Sequence, residues 1–162
     1  MLAESLLLPI FDYADASYLD ITLEQLNKLE RLQNICIRFT FGLRKYDHVS
    51  EFRMKLKWLP IRFRRNTHIL TLLYNILYSP NSPRYLKERF EYLRLSTSDN
   101  LRSDTYRRLL TPAHSSSFYD NSFTVHAVTL WKALPLTVRP AKTLPTFRNS
   151  LRNHYLSINK YV

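Results

Sequence analysis

Apolar residues at Leu29, Leu32, Cys36, Phe39 and Leu43 recur at spacings of three and four, the period of one helix face. Upstream, Thr22-Leu23-Glu24-Gln25 has the spacing of a capping box, with Thr22 as cap and Gln25 three residues on. Downstream, Gly42 falls where a left-handed residue ends a helix, with Leu43 as the clasp beyond it. The pattern therefore predicts a helix over 23–41. Asp47 is placed to cap a short helix over about 48–57. Pro60 suits the first turn of the next helix, where its missing N–H costs nothing. In that helix Ile69, Leu72, Leu73, Ile76 and Leu77 form an apolar stripe. Ser82-Pro83 reads as cap and first position of a helix running to about Leu93.

Residues 95–121 break this rhythm. Ser and Thr are dense, Ser115-Ser116-Ser117 is a loop signature, and Pro112 interrupts any helix. Two helices are predicted after this strap, near 122–134 and 144–157, separated by Pro135 and Pro140. Gly42 is the only glycine, which argues against a sheet-rich fold full of tight turns. The expected fold is all-α: a small multi-helix domain with an irregular Ser/Arg-rich strap and two carboxy-terminal helices. Its parts would be 1–94, the strap 95–121, and 122–162 packing on the first.

The 162 residues are 45% hydrophobic and 14% aromatic, a globular rather than a disordered composition. A chain of this length buries enough surface to fold without a metal or disulfide. Cys36 is alone, so the sequence holds neither a disulfide framework nor a thiolate cluster, and a reducing, intracellular setting is expected. Glu4 and Pro9 spoil any amino-terminal targeting pattern, and no apolar run is long enough to span a bilayer. A soluble protein is expected.

Net charge is +11, and its distribution matters more than its size. Residues 1–60 hold eight Lys/Arg and eight Asp/Glu, so the whole excess lies in residues 61–162. Such asymmetry suits a polyanionic partner, nucleic acid above all. Arg62, Arg64 and Arg65, with His68 a turn later, are the main candidates. On a helix, positions 61, 64, 65 and 68 share a face, so Arg64, Arg65 and His68 can offer donors to successive phosphates. A solvated helix face beside a core stripe explains them equally well. Arg102, Arg107 and Arg108 in the strap pose the same choice, with more freedom to wrap a backbone.

Catalytic patterns are weak. Tyr13-Ala14-Asp15-Ala16 has the tyrosine and first aspartate of a polymerase Tyr-x-Asp-Asp, but Ala16 breaks the carboxylate pair that two metal ions need. Asp15 reads better as a cap or turn residue. His48, His68, His114, His126 and His154 include no pair at the four-residue spacing of a helical metal site. One glycine cannot make a phosphate loop, and no serine has a nucleophile-elbow context. Trp58 and Trp131 each stand beside Leu-Pro at a helix end, where a large ring anchors the core. No cofactor is expected.

Taken in order, several short segments resemble one family. They are Leu7-Leu8-Pro9-Ile10-Phe11-Asp12-Tyr13, Leu29-Glu30-Arg31-Leu32-Gln33-Asn34, Arg38-Phe39-Thr40-Phe41-Gly42-Leu43, Asp47-His48-Val49-Ser50 and Leu56-Lys57-Trp58-Leu59-Pro60-Ile61. Arg64-Arg65, Pro83-Arg84-Tyr85-Leu86, Leu101-Arg102-Ser103, Leu130-Trp131, Leu134-Pro135, Arg139, Phe147 and His154-Tyr155-Leu156 continue the series. Together they resemble the region after the palm in reverse transcriptases of non-LTR retrotransposons of the jockey and CR1-like kinds. No single segment is specific; the shared order carries the likeness, from Leu6 to Leu156. Lys132-Ala133, where asparagine is common after the tryptophan, is a departure.

The resemblance implies a thumb and post-thumb region that grips RNA, DNA or an RNA–DNA hybrid beside an upstream palm and fingers. The palm's catalytic aspartates are not in this sequence, so no enzymatic activity is expected of the chain alone. Cys36 has no partners for the zinc knuckle of some clades. The resemblance also implies a fragment of a longer polyprotein that works inside the cell, in the nucleus for the parent element. A packing module that braces the palm, or a functionless element remnant, are the alternative readings.

Overall fold

A computed structural model of the chain describes residues 5–13, 15–92, 109–113 and 115–159. Helices dominate: α1 (Leu8–Asp12), α2 (Leu23–Phe41), α3 (Ser50–Leu56), α4 (Ile61–Tyr78), α5 (Arg84–Lys87), α6 (Ser117–Asp120), α7 (Phe123–Ala133) and α8 (Leu144–Asn159). A 3-10 turn covers Asp15–Ser17. Among the described residues there is no strand, only an isolated antiparallel bridge between Tyr92 and Leu109. The fold is all-α, with the two expected carboxy-terminal helices.

The residues form two compact units: Met1–Thr67 with Arg152–Val162, and His68–Leu151. These limits differ from the compositional divisions at 94 and 121. Arg102, Arg107, Arg108 and His114, and most of the strap, lie outside the described residues.

In the first unit α2 begins and ends where its sequence signals stand. Thr22 Oγ1 accepts from the Gln25 N–H at 3.2 Å, and Gln25 Oε1 accepts from the Thr22 N–H at 3.0 Å. Gly42 closes the helix at φ 63°, and the Leu43 N–H donates to the Arg38 carbonyl at 2.9 Å. The buried face is not the expected one. Leu32 and Phe39 turn outward, while Gln33 and Ile37 are fully buried. Two stripes compete along this helix, and tertiary bonding decides between them. Gln33 Nε2 donates to the Leu59 carbonyl at 2.9 Å, satisfying a buried turn that no apolar residue could serve. Ile37 enters a core with Leu8, Val49 and Trp58, to which Phe11, Leu43, Phe52 and Leu56 add.

Asp47 does not cap α3. Val49 holds the capping position without a side-chain bond, and the Asp47 carboxylate accepts the Arg44 N–H at 2.7 Å, closing its own turn. A local turn satisfies the carboxylate before the helix can. Lys57 ends α3 in the left-handed region at φ 53°, and Arg152 donates to its carbonyl at 3.0 Å. Pro60 stands just outside α4, where its carbonyl accepts the Phe63 and Arg64 N–H groups, both at 3.0 Å.

In the second unit Ile69, Leu73 and Ile76 are buried as expected, but Leu72 is partly exposed. Leu70 and Tyr74 take its place in the core with Val125, Val128, Trp131, Phe147 and Leu151. Tyr74 stacks on Phe147 at 4.4 Å between centroids, and its hydroxyl donates to the Ala141 carbonyl at 2.9 Å. Both tryptophans are core anchors, as their placement beside Leu-Pro suggested. Arg139, buried, donates to the Leu134 and Lys132 carbonyls, which neutralises the carboxy end of α7.

α5 is a single turn rather than a helix to Leu93. Pro83 precedes it as cap, and Ser82 makes no capping bond to it. Burial of Phe90, edge-on to Phe123 at 6.2 Å, draws the chain out of helical register after Lys87.

The two left-handed residues generate a paired prediction. A Cβ at Gly42 would meet nothing within 4 Å, so Gly42→Ala isolates the conformational cost and should destabilise by about 1 kcal/mol. Lys57→Gly relieves the same strain and should stabilise by roughly 0.5 kcal/mol, the unfolded-state entropy of glycine offsetting part of the gain. Urea denaturation of both variants checks the opposite signs.

Candidate nucleic-acid interface

The first turns of α4 carry the cluster singled out in the sequence, and all of it named up to Thr67 belongs to the first unit. Arg64 is not free. Its Nε donates to Asp12 Oδ1 at 2.9 Å and its terminal nitrogen to Asp12 Oδ2, a two-pronged ion pair. Those side chains retain 18% and 26% of their exposure, so the pair is mostly desolvated. The planar guanidinium fork matches a carboxylate better than any other acceptor, which is why Asp12 captures it.

Arg65 is held differently, donating to the Asp15 carbonyl at 3.5 Å and to the Tyr18 carbonyl. Burial lowers the Arg65 pKa, and the Asp15 charge works against that shift. Arg62 points elsewhere. Its backbone N–H donates to Glu30 Oε1 at 3.1 Å, while its side chain is exposed. Phe63 stacks on Tyr155 at 5.0 Å. Each successive residue from 62 to 65 thus grips a different neighbour.

Arg64 and Arg65, expected to offer donors to phosphates, thus also give donors to acceptors within the chain. Each guanidinium is half-buried and spends part of its five donors on these acceptors, which leaves fewer for a phosphate. His68, in the second unit, is half-buried. Of the α4 cluster, Arg62 alone among its arginines keeps an exposed side chain.

Tyr13 and Asp15 do not form a polymerase hairpin. Tyr13 follows α1, and Asp15 is buried in the 3-10 turn, the turn role read from its context. Both Asp12 oxygens accept from Arg64, and a cation drawn to them would compete with that guanidinium.

Other cations are also accounted for locally. Arg53 donates to Asn34 Oδ1; burial lowers its pKa, against the pull of Glu30. Arg84 pairs with Glu88 at 2.7 Å, Lys28 with Glu24 at 2.9 Å, and Lys87 donates to the Ser79 carbonyl at 2.7 Å. Arg31, Arg44, Lys57 and Arg62 in the first unit project exposed side chains, as do Arg89, Lys142 and Arg148 in the second. None of these seven makes an ion pair among the described residues.

A module that braces the palm would dock through the exposed side of residues 2–18, and apolar side chains are exposed there. Leu6, Ile10 and Tyr13 are all mostly exposed, at spacings of four and three. No protein-family model, curated protein or solved structure matches the chain.

Two measurements test this arrangement. Arg64→Ala and Asp12→Ala should each cost about 2–3 kcal/mol, because each strands a desolvated charge. The double variant should cost little more than either single one; simple additivity in chemical denaturation would show that the two side chains do not act as a pair. Burial also pushes the Tyr155 hydroxyl up to about 12, against the lowering hydrogen bond from Asn66. A hydroxyl whose folded pKa is raised stabilises the fold below its unfolded pKa near 10, and that contribution disappears as pH climbs towards 12. Ultraviolet titration should show one late-ionising tyrosine that Tyr155→Phe removes.

Proposed function

We propose that the chain is a non-catalytic module of a non-LTR retrotransposon RNA-directed DNA polymerase that grips template–primer nucleic acid by charge. The observation that carries this reading is the placement of the whole +11 excess in residues 61–162. It is supported by exposed, unpaired Arg62, Arg89, Lys142 and Arg148 in that stretch and by the ordered segments quoted above. Arg102, Arg107 and Arg108 remain part of the proposal, though they lie outside the described residues. Arg64, Arg65 and His68 also remain part of it, with Arg64 and Arg65 sharing their donors with the fold.

The mechanism is counterion release. Each phosphate neutralised frees a condensed cation, so affinity falls steeply as salt rises and depends little on base sequence. RNA, DNA or their hybrid would be bound, and the palm and fingers upstream would supply the chemistry. The setting would be intracellular, the nucleus for the parent element. No helix among the described residues is long and apolar enough to cross a membrane.

A second reading, a module that braces the missing palm, is favoured by one specific observation. Leu6, Ile10 and Tyr13 present apolar side chains to solvent on a segment whose other side is pinned by Arg64. The two readings are compatible, since one surface can dock while another grips.

The deciding assay is binding of a short RNA–DNA hybrid between about 50 and 200 mM salt. Neutralising about four phosphates should weaken affinity by about a hundredfold over that range. Affinity that is micromolar or weaker and flat with salt would reject the gripping role. Primer extension by the purified chain should be absent.

A further inference from the structure

Residues 38–46 read Arg-Phe-Thr-Phe-Gly-Leu-Arg-Lys-Tyr, three cations and three aromatics with no carboxylate. They form the last turn of α2 and the bend after it. The Leu43 N–H returns to the Arg38 carbonyl at 2.9 Å, and the Arg38 guanidinium donates to the Asp47 carbonyl at 3.3 Å. Those bonds fold the bend back on the helix end. They bring Phe39, next to Arg38, and Tyr46, next to Asp47, to the same end of α2.

Both rings are unused by the fold. Phe39 and Tyr46 are each 87% exposed, the highest among the large hydrophobic residues described, whereas Phe41 between them packs against Phe52 at 4.8 Å. Lys45 Nζ lies 5.6 Å from the Tyr46 centroid, so a cation already rides on that ring. The Arg44 side chain is exposed and makes no ion pair among the described residues. The nearest carboxylate in sequence, Asp47, is occupied by the Arg44 backbone N–H at 2.7 Å. Cations at a helix carboxy end also complement its dipole, and Arg38 does that here. Arg44 and Lys45 lie beyond the helix, and the dipole gives no reason for two bare rings beside them.

We propose that Phe39 and Tyr46, with Arg44 and Lys45, form a stacking site for an unpaired nucleic-acid strand. Flat rings take bases of any identity because every base has a π face, and the flanking cations meet the phosphates between them. The inference rests on the nucleic-acid reading above and adds to it a strand type and a location. A helical protein partner is the competing occupant, because Leu32 and Ile35 continue the Phe39 stripe along α2. The charge favours the strand: cations cluster at Tyr46, beyond the reach of that stripe.

The test measures the full chain against a labelled single-stranded uridine-rich RNA and against an RNA–DNA hybrid of equal length. Phe39→Ala/Tyr46→Ala should weaken single-strand binding about tenfold or more, leave hybrid binding within about twofold, and leave thermal unfolding unchanged. Tyr46→Phe should bind as the parent does, and Arg44→Gln/Lys45→Gln should flatten the single-strand salt dependence. Single-strand affinity unchanged by removal of both rings overturns the proposal. So does an equal weakening in Leu32→Ala/Ile35→Ala, which would mark an apolar docking face. If the parent chain binds the hybrid but not the single strand, this inference alone falls. If it binds neither, the gripping function falls with it.

Discussion

The ion pair between Arg64 and Asp12 organises the first unit. It ties α1 to the start of α4 across fifty-two residues of chain, and the residues around it extend the same hub. Arg65 holds the turn after α1, the Arg62 N–H holds Glu30 of α2, and Phe63 stacks on Tyr155 of α8. Two guanidiniums, one backbone amide and one ring thus fasten these segments to less than two turns of helix. The cost of desolvating these charges is offset by two-pronged geometry, and removing either partner leaves the other stranded.

This use of arginine changes how the chain's charge is read. A basic protein that binds polyanions needs cations that are exposed and uncommitted, and here several of the most conspicuous ones are neither. Arg53, Arg64, Arg65 and Arg139 each serve the fold, the last by covering the carboxy end of α7. The remaining excess sits on scattered exposed side chains such as Arg62, Arg89, Lys142 and Arg148. In the proposed function the grip draws chiefly on those, on Arg44 and Lys45, and on the strap arginines. The proposed gripping surface is therefore narrower than net charge alone implies.

Helix existence was legible because its signals are local. The capping box at Thr22, the left-handed Gly42 and most of the apolar stripe of α4 act within a few residues, and each holds in the structure. Facing was not legible. α2 has two plausible apolar stripes, and the choice depends on Leu59 needing a donor from Gln33, twenty-six residues away. The same reason explains Asp47, which local turn geometry took from α3, and α5, which Phe90 burial cut short. The fate of Arg64 was equally hidden, since nothing near it in sequence announces Asp12. Helical spacing correctly placed Arg64 and Arg65 together; it could not say what would meet them.

Locked arginines hold the fold while exposed ones would carry the proposed binding, and one comparison of salt slopes tests this division. The Asp12→Asn/Arg64→Gln variant, which neutralises the pair together, should keep the parent's dependence of hybrid affinity on salt. Arg89→Gln/Lys142→Gln/Arg148→Gln should lower that slope by about one for each phosphate left without its cation. If the slope instead falls in the first variant and stays unchanged in the second, the division of labour described here is wrong.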